Sequence, residues 1–179
     1  MAEQPPIIPP DTPEGLQLGR LYSLAQQMRG SFMEQAIWID VILTDILARY
    51  FAPDESKRMF LSSEVLAGPY VSFSGRISIL ERIISRSYVP FGNTCPKLCE
   101  QLNKIRRFRN RLAHAHLDTS DAFMAKWPGD RIQIVFYEDS AAKTQVITVE
   151  ENNRRLKECS AVVLQLLELQ TLVISAPRK

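Results

Sequence analysis

The residues best suited to chemistry lie in one short segment, Lys104–His116. It contains five of the 22 lysines and arginines and both histidines of the 179-residue chain. A histidine titrates near neutral pH and can exchange protons under physiological conditions. A guanidinium matches the geometry of a phosphate. The segment therefore holds residue types suited to phosphate chemistry, although a basic run is most often only the solvated face of a helix.

Helical spacing separates these basic residues into two sets. At about 100° per residue, Lys104, Arg107 and Arg111 fall on one side, as an exposed basic face should. Arg109 falls on the predicted apolar face. A buried guanidinium needs a carboxylate, a ligand or a wet cleft. Asp40, which has apolar neighbours in an earlier helix, would satisfy this need either within a site or as an ordinary buried ion pair. The apolar face comprises Leu98, Leu102, Ile105, Phe108 and Leu112.

Two histidines follow Arg109, and spacing alone does not choose between them. On an unbroken helix His114 lies about 140° from Arg109. Those two side chains therefore meet only if the helix ends or bends near Ala113, or if a second subunit contributes. His116 lies seven residues after Arg109 and would share its face if the helix continued.

The stretch Arg109-Asn110-Arg111-Leu112-Ala113-His114 resembles the signature of HEPN domains (higher eukaryotes and prokaryotes nucleotide-binding). In that signature an arginine, a polar residue that is often asparagine and a histidine lie within a few residues of one another. The upstream stretch 67–77, AGPYVSFSGRI, is similar to the "GPL-x-x-FSxKI" segment of the mannitol operon repressor-like branch. The resemblance covers about residues 16–116 and, more loosely, the final helix.

The resemblance implies a dimer of helical bundles in which arginines and histidines of both subunits face one cleft. Many such domains are metal-independent endoribonucleases, often toxins. In that case His114 would assist proton transfer at the attacking 2′-hydroxyl, Arg109 would stabilise charge on the phosphate, and Asn110 would orient the scissile group or the histidine. No metal or cofactor would be required. The predicted nucleic-acid-binding residues are Lys104, Arg106, Arg107, Arg111 and His116.

Two alternatives stay open. The first is a non-catalytic HEPN module, either a transcription regulator like the mannitol operon repressor or the partner of a nucleotidyltransferase or antitoxin. Direct DNA binding is the weaker version, because the sequence has no helix-turn-helix signature. The second is a structural helical dimer in which Arg109 only pairs with Asp40. In each case we expect a homodimer, with the exposed faces of the second and last helices as its interface.

The elements that must position these residues are mostly helical, so we predict an all-α, HEPN-like bundle of about five or six helices with one β-hairpin before the last helix. The prolines of residues 1–13 predict a disordered lead-in, and residues 14–175 predict a single domain. A capping pattern at 11–14 starts the first helix, and Gly30 permits a break after it. The hairpin covers about 131–149. The predicted helices are 14–28, 31–51, 55–66, 74–84, 94–112 and 150–173.

Apolar periodicity assigns core residues to the last helix and to the helix before Pro53. In the last helix these are Leu156, Val163, Leu164, Leu167 and Leu172. Trp38 and Trp127 are expected to provide core and turn packing, not to stack on bases. The apolar face of the helix before Pro53 comprises Phe32, Ala36, Ile39, Leu43, Ile46, Leu47 and Tyr50.

Composition and charge limit the class of protein. Hydrophobic residues make up 45% and the formal net charge is +2, which excludes a strongly basic histone-like protein. The three cysteines do not form a disulfide framework. Cys95 and Cys99 would share a helix face, but a zinc site would need a second ligand pair at suitable spacing. With no signal peptide and no long apolar run, we expect a cytoplasmic protein without membrane contact.

Overall fold

The computed structural model describes residue 9, residues 11–52 and residues 54–176. The predicted disordered lead-in, 1–13, therefore falls mostly outside the described residues. The described helices are α1 (Pro13–Phe51), α2 (Glu55–Phe60), α3 (Phe73–Ser87), α4 (Val89–Thr94), α5 (Leu98–His114), α6 (Asp121–Met124) and α7 (Val149–Ser175). The strands are β1 (His116–Leu117), β2 (Arg131–Glu138) and β3 (Ala141–Thr148). This mostly helical chain, with a hairpin before its last helix, agrees with the coarse fold prediction.

Helix α1 begins where the capping pattern predicted. The Thr12 hydroxyl accepts a hydrogen bond from the backbone N–H of Gly15 at 3.1 Å, and Pro13 occupies the first turn, where its missing N–H costs nothing. The predicted break at Gly30 is wrong, because α1 continues to Phe51. Ser31 is not an N-cap either, since its hydroxyl donates to the carbonyl of Met28.

The physical reason for this continuity is the apolar stripe of α1, which passes the glycine without interruption. Met28 and Phe32, four residues apart and on either side of Gly30, are both buried. One exposed glycine costs a helix about 1 kcal/mol, which is less than the burial of one large side chain contributes.

The segment between α2 and α3 contains the Gly-Pro pair and the start of the next helix. Six residues of π-helix, Leu61–Leu66, follow α2 and replace the single helix predicted over 55–66. At Gly68 a Cβ would lie 2.9 Å from the carbonyl oxygen of Glu64, so only glycine fits this turn. Ser72 caps α3 by accepting from the N–H of Gly75.

The residues around Pro90 form a helix where a loop was predicted. Pro90 lies in the first turn of α4, where proline is compatible with a helix. Helix α5 begins at Leu98 and not at Thr94. Its predicted apolar face is buried throughout, which confirms the register of the candidate site.

The described chain divides into two compact units, and α1, α5 and α7 contribute residues to both. The sheet unit comprises the described residues up to Ser31 together with Arg111–Arg154. It contains an antiparallel sheet in the order β1-β2-β3. The predicted hairpin is confirmed, with a two-residue loop in which Asp139 and Ser140 both have positive φ. Such a loop matches the twist of the paired strands.

The helical unit comprises Phe32–Asn110 and the described residues from Arg155 onwards. Its part of α7 buries a different face from the one predicted. Leu164 is 69% exposed and Leu167 and Leu172 are also exposed, whereas Leu156 and Val163 are only partly buried. Because α7 is apolar around much of its circumference, periodicity could not choose its core face. The buried residues are Cys159, Val162, Leu166, Leu169 and Val173.

Among the described helices, α7 has the length and apolar composition that could cross a membrane, with a mean hydropathy of 1.3 over its most apolar part. Core helices of soluble proteins have the same properties. In that part of α7, 22% of the residues are buried within the chain, and a single helix of this kind is weak evidence for a membrane span.

Candidate functional site on helix α5

The candidate site is built on α5, and an aromatic contact anchors this helix beside Arg109. The ring of Phe108 lies edge-to-face against Phe32, with 4.7 Å between ring centroids. The guanidinium of Arg155 stacks 4.0 Å from the same ring. These contacts lie within the helical unit and fix the rotation of α5 at the residue that precedes Arg109.

Arg109 is half-buried, and its Nη1 donates to the side-chain oxygen of Asn110 at 3.4 Å. The predicted pairing with Asp40 is wrong. Both carboxylate oxygens of Asp40 instead accept from Nη2 of Arg76, at 2.8 and 2.9 Å. Arg76 holds this position because its guanidinium is buried and also donates to the backbone carbonyls of Leu66 and Val71.

Sequence spacing contained a signal for Arg76 that our prediction did not use. Arg76 precedes Leu80 by four residues and Ile83 by seven, so it lies on the buried stripe of α3. A basic residue on an apolar stripe needs a partner in the same way as Arg109 was expected to.

His114 is exposed and is the last residue of α5. Because the helix is unbroken through Ala113, the spacing of about 140° between Arg109 and His114 applies. Although α5 ends one residue after Ala113, His114 still lies within the helix, and the hydrogen bond described for Arg109 goes to Asn110. Asn110, also exposed, precedes His114 by four residues and shares its side of the helix.

His116 does not continue the helix, so the expectation that it shares a face with Arg109 is wrong. It lies in β1, opposite Val135 of β2, with an exposed side chain. The chain leaves the helix at Ala115, whose carbonyl accepts a hydrogen bond from Nη2 of Arg29 at 3.1 Å. Arg29 was missed because the predicted break at Gly30 placed it at a helix end.

The predicted nucleic-acid-binding residues differ in how much of their charge is available. Lys104 lies 2.7 Å from Glu100 in an exposed ion pair, and its hydrogen bond lowers the pKa of Glu100. Arg111 lies 3.8 Å from Glu138 and stacks over Phe136 at 5.2 Å. These two cations are therefore engaged within the chain.

Arg106 and Arg107 differ from Lys104 and Arg111 in the contacts that their side chains make. Arg106 is half-buried, and its Nε makes a long hydrogen bond of 3.4 Å to the amide oxygen of Asn103. Arg107 is exposed. Their positions four and three residues before Asn110 place both on the side of α5 that carries Asn110 and His114.

Two cysteines line a separate pocket of 390 Å³ in the helical unit. Cys95 precedes α5, so the predicted shared helix face with Cys99 is wrong. Burial raises the pKa of Cys99 to about 11, which keeps it as a thiol at neutral pH and makes it a poor metal ligand. In the parts of the chain that the structure describes, no three His, Cys, Asp or Glu side chains are grouped to hold a metal.

No protein-family model matches the sequence, and neither the curated proteins nor the solved structures contain a significant match.

Proposed function

We propose that this protein is a metal-independent endoribonuclease with a HEPN-like fold, active as a homodimer in which Arg109 of one protomer acts with His114 of the other. One observation carries the proposal. Helix α5 runs unbroken to an exposed His114 and separates it from Arg109 by about 140°. Under this geometry a motif that requires both residues is completed by a second copy.

The reaction we propose needs only groups that the two protomers and RNA supply. His114 accepts the proton of the 2′-hydroxyl while the 2′-oxygen attacks the adjacent phosphorus. The bond from phosphorus to the 5′-oxygen breaks, and that oxygen takes a proton from water. Arg109 of the facing protomer stabilises the charge that develops on the phosphate oxygens, and Asn110 orients the scissile group. The products are a 2′,3′-cyclic phosphate and a 5′-hydroxyl.

Exposed apolar side chains of the helical unit support the dimer. On α1, Ile37, Trp38 and Val41 are each more than half exposed, so the core position expected for Trp38 is wrong. Leu164 and Ile174 of α7 are exposed as well. Clusters of exposed large apolar residues are typical of surfaces that bind another protein, and these two helices are those from which we predicted the dimer interface.

Charge on α5 supports RNA as the ligand. Arg106 and Arg107 lie on the side of the helix that carries His114, where they can neutralise flanking phosphates. Lys104 and Arg111, which have carboxylate neighbours in the chain, should contribute less. Binding should therefore weaken with salt, with a slope set mainly by Arg106 and Arg107.

The experiment is cleavage of total RNA in EDTA by purified protein, with analysis of the ends formed. We expect 2′,3′-cyclic phosphate ends from wild type and loss of cleavage in Arg109→Ala and in His114→Ala. Arg86→Ala is the matched control, because it removes an exposed arginine of α3. Cleavage that persists in His114→Ala would contradict the mechanism.

A second candidate function is a non-catalytic binding module, and the hairpin favours it. Tyr137 at its tip is 72% exposed, and Glu138 beside it is bound by both Lys143 and Arg111. An exposed tyrosine at a hairpin tip suits a protein partner such as an antitoxin or a nucleotidyltransferase. Absence of cleavage by wild type, together with partner binding that Tyr137→Ala abolishes, would favour this function.

A further inference from the structure

We propose that Arg29 is a positioning residue for His114, an inference that rests on the proposed ribonuclease function. Nη2 of Arg29 donates to the carbonyl oxygen of Ala115, the residue directly after His114, at 3.1 Å. Both residues belong to the sheet unit. The contact joins α1 to the point where the chain leaves α5.

Two interactions hold the backbone next to His114, the hydrogen bond from Arg29 and the pairing of β1 with β2. Ala115 is buried, and His116 begins β1, which pairs with β2. His114 itself is exposed, and no hydrogen bond of its own side chain is described. Arg29 and β1 therefore fix the backbone that carries His114, and the position of that backbone limits where the imidazole can reach.

The surroundings of Arg29 indicate that its side chain is held in this contact and is not free in solvent. The side chain is half-buried, and its Nε is buried without a hydrogen-bond partner. Burial also lowers its pKa. Desolvating a guanidinium and leaving one donor unpaired is unfavourable, and a solvated surface arginine would avoid both. The carbonyl of Ala115, beside the negative end of the α5 dipole, compensates in part because a cation is favoured there.

Removing Arg29 should misalign His114 without lowering the affinity for RNA. Arg29 is not among the residues proposed to touch RNA, so its removal should leave the binding of RNA nearly unchanged. A displacement of about 1 Å in a catalytic group can lower the rate by about 100-fold. We therefore expect the defect in kcat and not in KM.

The test compares Arg29→Gln, Arg29→Lys and Arg20→Gln with wild type. Arg20 is an exposed arginine of the same helix, so Arg20→Gln removes the same charge without the contact. Steady-state cleavage of a short RNA gives kcat and KM. For Arg29→Gln we expect a loss in kcat of about 100-fold. Arg29→Lys should recover part of this loss, because its ammonium can still donate to the carbonyl. Arg20→Gln should have wild-type kcat and KM.

Hydrogen exchange separates positioning from general unfolding. In Arg29→Gln we expect faster exchange confined to residues 113–117, with unchanged protection in β2 and β3. Wild-type kcat in Arg29→Gln, a defect in KM, or exchange that rises across the whole sheet unit would each overturn the proposal. If wild type itself does not cleave RNA, the proposed function fails and the role of Arg29 in it fails too. If wild type cleaves RNA and the Arg29 variants cleave it with the same kcat, the ribonuclease function stands and the positioning role is refuted.

Discussion

The ion pair between Asp40 and Arg76 should contribute strongly to the stability of the helical unit. Two hydrogen bonds of 2.8 and 2.9 Å join the groups, and the Arg76 side chain is only 7% exposed whereas that of Asp40 is 33% exposed. Removing one partner of a buried pair costs roughly 3–5 kcal/mol because the other charge stays buried. We take the lower end, about 3 kcal/mol, because water reaches Asp40.

For a chain of this size the loss corresponds to a fall in Tm of about 6–12 °C. The assay is urea unfolding of Asp40→Ala, Arg76→Met and the double variant. Because the two side chains share one contact, the double variant should be more stable than additivity predicts, with a coupling of about 2 kcal/mol.

The matched control for this prediction is Glu100→Gln, which breaks the exposed pair with Lys104. It should leave the unfolding midpoint unchanged, since exposed pairs contribute little. An Asp40→Ala variant as stable as Glu100→Gln, or a strictly additive double variant, would refute the reasoning.

Three further predictions concern the backbone and the thiols. Gly30→Ala should stabilise the protein by about 1 kcal/mol, as should Gly19→Ala, because neither added Cβ would meet another atom; destabilisation by Gly30→Ala alone in thermal unfolding would mean that α1 breaks there. Ser140→Gly should stabilise the hairpin by about 1 kcal/mol, because its φ of 62° is unfavourable for serine; an unchanged Tm would contradict this. Burial raises the pKa of Cys99 to about 11, so its thiolate forms only as pH rises towards that value. Iodoacetamide should label Cys95 before Cys99 at pH 8, and equal rates by mass spectrometry would contradict the assigned burial.

Strong periodicity made the central helices predictable from sequence. The apolar face of α5 and that of α1 from Phe32 to Leu47 are buried as expected, because one residue in three or four is large and apolar there. Tyr50, which was predicted on the same face, is only half-buried. The hairpin followed from two β-branched runs joined by polar residues. Gly30 was misread because local signals favoured a cap, whereas packing on both sides of the glycine favoured a continuous helix.

The parts that could not be predicted depend on contacts between distant residues. Arg76 pairs with Asp40 because the carbonyls of Leu66 and Val71 also accept from its guanidinium and hold it in place. No local sequence pattern reveals these three contacts. The hydrogen-bond partner of Arg29, the carbonyl of Ala115, lies 86 residues away in the sequence. On α7, leucines occur on most sides of the helix, so only tertiary packing could select its buried face. The rotation of α5 was predictable, and with it the exposure of Asn110.

The most direct test of the proposed function mixes inactive variants. Arg109→Ala and His114→Ala protein are co-refolded in equal amounts and assayed for RNA cleavage in EDTA. If each site combines Arg109 of one protomer with His114 of the other, half of the dimers are mixed and each keeps one intact site of two. The mixture should then recover about a quarter of wild-type activity, as expected for sites at a two-fold interface. No recovery, while wild type treated in the same way remains active, would contradict the shared site.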